Sequence, residues 1–140
     1  MSEESTTPDL GELTGNLLET VNRGNFEAIP SFYAPDAVWD MSPWGLGTYE
    51  GPAAIRGLNE DWLAAYEEWE MEPEEILDLG SGVVFAVFHQ SARPVGSTSH
   101  VRLRQAAIVV WVEGVVVRLT MCPDIDEARA AAERLAESTG

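Results

Sequence analysis

The chain has 140 residues, enough for one domain that buries about two-thirds of its extended-chain surface and still leaves room for a small pocket. Twenty-four acidic residues face eight basic ones, all arginine, for a formal charge of −16. That charge repels phosphate backbones and anionic headgroups and so argues against nucleic acid and membrane partners. No apolar run is long enough to span a bilayer, and the first eight residues lack the basic and apolar regions of a signal peptide, so they read as a frayed tail on a cytoplasmic protein. The lone Cys122 rules out an internal disulfide and most thiolate metal sites. A chain without lysine and rich in Ala, Gly, Val and Glu fits a GC-rich bacterial genome.

In chain order, Leu10, Leu13, Leu17, Leu18 and Val21 recur at helical spacing, and Asn22-Arg23-Gly24-Asn25 turns the chain. Phe26, Ile29 and Phe32 predict a second short helix, which Ala34-Pro35-Asp36 breaks. Ala37 to Met41 reads as a short strand, Ser42 to Gly47 as a loop, and Pro52 as the first turn of a third helix reaching about Trp69. That helix would carry Ile55, Leu58, Trp62, Tyr66 and Trp69 on one stripe, with Glu60, Asp61, Glu67 and Glu68 mostly on its solvent side. Strands follow at 74–79, 83–90, 101–112 and 115–121, joined by short glycine-containing links, which predicts an antiparallel meander. Ala106 to Val112 is apolar at both parities, so both faces of that strand must be covered. Helices would cover one face and a second subunit the other, which predicts a homodimer. Asp124 and Glu127 form a capping box that opens a final helix over 128–137. No repeat or linker divides residues 9–137, which are expected to form a single domain.

The run FYAPDAVW at Phe32 to Trp39, followed by YEGPAAI at Tyr49 to Ile55, resembles the SnoaL-like branch of the nuclear transport factor 2-like superfamily, over roughly Leu10 to Ala136. The resemblance implies an α+β fold: a cone-shaped, curved antiparallel sheet wrapped around three N-terminal helices, with a C-terminal helix, as in a cystatin-like α+β barrel. It implies a cavity at the wide end of the cone. Members of this superfamily include cofactor-free isomerases, cyclases, epoxide hydrolases and dehydratases as well as proteins without catalysis, so the fold alone assigns no activity. In the ketosteroid isomerases the basic Asp stands where this chain has Met41, one residue after Asp40, and the oxyanion tyrosine stands near Leu17. The Arg and Asp pair of the limonene-epoxide hydrolases becomes Arg102 and Arg104 here, and Asp124 is an approximate counterpart of the cyclases' late acid/base Asp.

Among candidate catalytic residues, Asp40 lies between Trp39 and Met41 with Tyr33, Trp44 and Tyr49 nearby in sequence. Walled by aromatics, its carboxylate could act as a base next to a carbonyl; turned outward by strand alternation, it would cap the Ser42 turn. His89, after a six-residue apolar run, could shuttle protons or simply end its strand at the rim. Tyr33 or His89 would polarise the carbonyl. Trp39, Trp44, Tyr49, Trp62 and Gln105 are the candidate ligand-binding residues. The expectation is a pocket for a small hydrophobic molecule, with no cofactor and no metal, serving either acid/base isomerisation, cyclisation or dehydration of a carbonyl compound or non-catalytic binding.

Overall fold

The computed structural model describes residues 9–139, so the expected tail at 1–8 lies outside the described residues. Helix α1, Leu10–Asn22, is capped by the Asp9 side chain, which accepts from the N–H groups of Gly11 and Glu12, and it buries Leu17 and Val21. In place of a second α-helix there is a single 3-10 turn, Ile29–Phe32. Strand β1, Tyr33–Asp40, follows directly. The expected break at Ala34-Pro35-Asp36 therefore falls inside a strand. The register of β1 against its neighbour shifts between Tyr33 and Val38, and that irregularity accommodates a proline with no N–H to give to the ladder.

After a loop containing a 3-10 turn at Ser42–Trp44 comes β2, Thr48–Glu50, then α2, Pro52–Ala64. The expected helix end at Trp69 is corrected to Ala64, because β3 already runs from Tyr66 to Gly80. Spacing misled here: Trp62, Tyr66 and Trp69 fall at helical intervals, yet Trp69 and Met71 alternate with Glu68, Glu70 and Glu72, as a half-buried strand requires. Pro73 is tolerated because β3 is an edge strand. Part of that edge is covered by Asn22, whose side chain donates to the Met71 carbonyl at 2.7 Å and accepts from the Met71 N–H at 2.8 Å. The remaining elements are β4, Val83–Pro94, β5, Val101–Val112, β6, Val115–Cys122, and α3, Ile125–Thr139. Asp124 caps α3 through the Glu127 N–H at 3.0 Å, the structural role its spacing announced.

The six strands form one curved sheet in the order β2-β1-β6-β5-β4-β3. From β3 to β6 it is the expected antiparallel meander. Beside it, β1 lies parallel to β6, so the sheet is mixed rather than wholly antiparallel. The long return from β1 through α2 and four strands supplies the crossover that a parallel pair needs. In the turn between β3 and β4, Gly82 has a φ of +83°, and a Cβ there would collide with the Trp111 carbonyl oxygen, so only glycine fits.

The concave face holds the main core, where α1 residues Leu17 and Val21 and α2 residue Ile55 meet Trp39, Phe88, Val109 and Leu119. The convex face carries a second core of Val83, Phe85, Val87, Ala106 and Ile108, against which α3 lays Ala128, Ala132 and Ala136. Both faces of β5 are thus covered within one chain. The apolar reverse face that suggested a second subunit is occupied by α3.

Candidate functional site

The strands that curve around α1 and α2 leave two spaces. The inner one lies between the helices and the middle of the sheet, walled by Leu17, Tyr33, Trp39, Asn59, Trp69 and Phe88 among others, with a volume of about 50 Å³. A water centre needs about 10–15 Å³, so this space suits a few waters and not an organic ligand. Bulky side chains, not an empty cone, fill the narrow end.

The outer space is a cleft of about 670 Å³ at the wide end, large enough for a small organic molecule. One wall is the loop after β1 with β2, contributing Met41, Trp44, Leu46 and Tyr49. The facing wall is α2, where Ala54, Gly57, Leu58 and Asp61 fall at helical spacing, continued by Trp62 and Tyr66. Leu103, Gln90 and Gln105, from β4 and β5, complete the lining. Trp62 touches both spaces and so stands between them. Gly57 widens the cleft, because a Cβ built on it would meet nothing within 4 Å.

The chief polar feature of the cleft is an amide pair. Gln105 donates through Nε2 to Oε1 of Gln90 at 2.8 Å. Gln105 is 1% exposed, and its own Oε1 is buried without a hydrogen-bond partner among the described residues. The indole N–H of Trp44 is likewise buried and unpaired. In the inner space Tyr33 Oη and the indole nitrogens of Trp39 and Trp69 share that condition. Burial pushes the Tyr33 phenol above its ordinary value, so it stays protonated and can only be a neutral hydrogen-bond group. Asn59, also buried, donates to the Ile55 carbonyl one turn back at 3.0 Å.

All five expected ligand-binding residues line one space or the other: Trp39 the inner, Trp44, Tyr49 and Gln105 the outer, and Trp62 both. Tyr33 belongs to the inner space. The two expected acid/base groups are elsewhere. Trp39 pairs in register with Leu119 on the concave face, so Asp40, one residue on, turns to the convex face beside Thr120. There its carboxylate takes Arg118 Nη2 at 2.6 Å and the Ser42 N–H at 2.8 Å. Burial pushes the Asp40 carboxyl up, but the hydrogen bonds from Ser42 and the Arg118 guanidinium outweigh it and hold it below the usual carboxylate value. Such a group is ionised, partnered and turned away from both spaces, which removes the geometry for its role as the base.

His89 also faces outward, 2.7 Å from Glu74 with its side chain 55% exposed. Arg104, hydrogen-bonded to Glu74, is the main reason that carboxyl is held down to about 2. His89 thus belongs to a solvated charge ladder on the outer sheet and not to a proton relay in the cleft.

Asp61 is the carboxylate in the cleft lining, and it is exposed, as expected for the solvated side of α2. Ala54, Gly57 and Asp61 fall at helical spacing beside the stripe of Ile55, Leu58 and Trp62, a row whose small and mixed character does not mark it as a lining. Gln90 and Tyr66 were also missed, Tyr66 because it was placed in a helix. Among the described residues no group of three or more His, Cys, Asp or Glu could hold a metal ion.

A cone-shaped α+β domain with a cleft at its wide end defines a protein of the nuclear transport factor 2-like class. The family model of the SnoaL-like domain matches residues 15–119, and the chain belongs to that family. Among solved structures it is similar to TerC, co-crystallised with polyporic acid, at 18% identity and a TM-score of 0.66 over 84% of this chain and 92% of that one. A protein of ketosteroid isomerase-like fold from Catenulispora acidiphila, in complex with trimethylamine, is 13% identical with a TM-score of 0.73 over 86% of this chain and 92% of the other. A cystatin-fold protein from Novosphingobium aromaticivorans is 15% identical with a TM-score of 0.72 over 82% and 98%. Likeness at these identities is likeness of fold. No curated protein sequence matches the chain. No helix among the described residues is long and apolar enough to cross a membrane.

Proposed function

We propose that this chain binds a small, largely apolar molecule in the outer cleft, with Gln105 as its polar anchor. The observation that carries the reading is the buried, unpaired Gln105 Oε1 in the lining of a ligand-sized cleft. A buried acceptor left unmet costs about 1–3 kcal/mol, which a ligand hydroxyl or N–H would recover. The small molecules held by TerC and by the Catenulispora protein are consistent with such a use of the fold.

The test is ligand-observed NMR with a panel of small aromatic and carbonyl compounds against the wild type, Gly57→Trp and Gln105→Leu. Gly57→Trp projects a large side chain into the cleft and should abolish binding, whereas Gln105→Leu should weaken only ligands carrying a donor. Binding that survives Gly57→Trp unchanged would place the ligand elsewhere and sink the proposal.

Acid/base isomerisation, cyclisation or dehydration of a carbonyl compound is the second reading, favoured by Asp61, the one carboxylate in the cleft lining. On that reading Asp61 replaces Asp40 as base, and Asp61→Asn abolishes turnover of any substrate found while leaving its binding intact. A homodimer is proposed on narrower grounds than an open apolar face. Arg102 has no ion-pair partner among the described residues and shares an outer groove with Glu70 and Glu72. Two copies related by a twofold axis could exchange these contacts. Sedimentation of the wild type and of Arg102→Glu tests it: a wild-type monomer would end this proposal.

A further inference from the structure

Asp61 stands apart from the other carboxylates by its place in the cleft lining. Its helical neighbours three and four residues away are Gly57, Leu58, Ala64 and Ala65, so no cation on its own helix can reach it. Its carboxylate has no ion pair or hydrogen bond among the described residues. No arginine or histidine lines the cleft, and Asp61 is its single charged residue.

The rings around it are aromatic. Trp62 and Tyr66 each stand 5.4 Å, centroid to centroid, from the Trp69 ring, and both line the same cleft as Asp61. Trp44 and Tyr49 line the opposite wall. Aromatic faces carry negative potential and attract a desolvated cation, with indole the strongest. A lone carboxylate beside several such faces, in a protein of net charge −16, repels anions and favours a cation. A bare metal ion does not fit, because one carboxylate falls far short of the oxygen set a hard cation requires. An alkylated ammonium fits, since it is weakly hydrated, bulky and content with ring faces.

We infer that the cleft takes an organic cation: an alkylammonium head against Asp61, Trp62 and Tyr66, with an apolar body lying between Gly57 and the Trp44–Tyr49 wall. The inference rests on the binding reading above and narrows its ligand class. It also gives Gly57 a purpose, as the gap that lets a ring or chain lie flat on α2.

The experiment compares phenyltrimethylammonium with its uncharged isostere tert-butylbenzene by tryptophan quenching and NMR, in the full chain, at low and high salt. The two differ in charge and hardly in shape. The cation is expected to bind about tenfold or more tightly than the isostere, a preference that persists at high salt and falls severalfold in Asp61→Asn, leaving the part that the ring faces supply. Non-specific attraction to the acidic surface would instead vanish at high salt and be unaffected by Asp61→Asn, and that result overturns the inference. Equal binding of both compounds, blocked by Gly57→Trp, also overturns it but leaves the apolar-ligand reading standing. If neither compound nor any member of the wider panel binds, both fall.

Discussion

Asp40 shows how one residue of offset decides between chemistry and architecture. On a strand, neighbouring side chains point to opposite faces, so the position after Trp39 belongs to the convex side whatever its chemistry. There the carboxylate ties Arg118 of β6 to the N–H of Ser42, at the start of the loop that brings Trp44 and Leu46 to the cleft. Its role is to position that loop. Arg118 is 47% exposed and Asp40 12%, so the pair is weaker than a buried one and stronger than a surface one; Asp40→Asn should cost about 1–2 kcal/mol. The sign of the pH dependence follows from the lowered carboxyl. Because the folded-state value lies below the unfolded one, near 3.9, the stabilisation is complete above about pH 4 and is lost as pH falls through the folded value. Urea unfolding of wild type and Asp40→Asn should therefore differ at neutral pH and converge on acidification. A gap that stays constant down to pH 3 would show that the lost contact is not the ionised pair.

Among the elements, α3 had the largest consequence for interpretation. Phe85, Val87, Ala106 and Ile108 would present an apolar convex face to water if α3 were absent. Three alanines allow the helix to approach closely, and Arg129 fixes it through Glu75 at 2.7 Å and over the Phe85 ring at 4.7 Å. Ala132 is fully buried, so Ala132→Glu must either bury a charge or undock the helix, and a loss of more than about 3 kcal/mol is expected. Chemical denaturation with gel filtration checks it. A nearly unchanged midpoint would mean that α3 docks without contributing to the stability of the sheet, while new self-association would confirm that the helix shields the face. Periodicity made α1, the final helix, the Asp124 cap and the β4–β6 meander legible, because each has a clean 3.6- or 2-residue pattern with a turn signal at its end. It failed at residues 65–73, where glutamates of high helix propensity alternate with apolar residues and only the edge position of the strand decides the outcome. It also could not say which face of β5 met a helix and which a partner, since burial on two faces looks the same in sequence whatever covers them. The aromatic lining of the site was readable for a simpler reason: large rings close to a strand end and a loop have few places to go. Of its polar members Gln105 was readable, as a polar residue in an apolar row, whereas the outward facing of Asp40 and His89 depends on register and the place of Asp61 in the cleft on where α2 stops.

For the whole molecule, charge sets a trade-off between local attraction and global repulsion. Several ion pairs are exposed, such as Arg23 with Glu19 at 71% and 61% side-chain exposure and Arg104 with Glu74 at 51% and 36%. Pairs of this kind contribute about 0–1 kcal/mol each. Against them stands a net charge of −16, so that most carboxylates sit in the field of others with no arginine to answer them. Salt screens both, but over a Debye length of about 10 Å at 0.1 M it removes the many long repulsions more completely than the few contacts near 3 Å. Repulsion should therefore win the comparison, and sodium chloride should stabilise the fold. Raising it from near zero to a few hundred millimolar at neutral pH is expected to lift the thermal midpoint, each 1 kcal/mol appearing as roughly 2–4 °C for a chain of this size. Differential scanning calorimetry at fixed pH measures it directly. A midpoint that falls with salt would mean that the outer ladder of Glu74, His89 and Arg104 and its neighbours is worth more than the sum of isolated pairs, so that the acidic surface is held together by its few arginines and not merely tolerated.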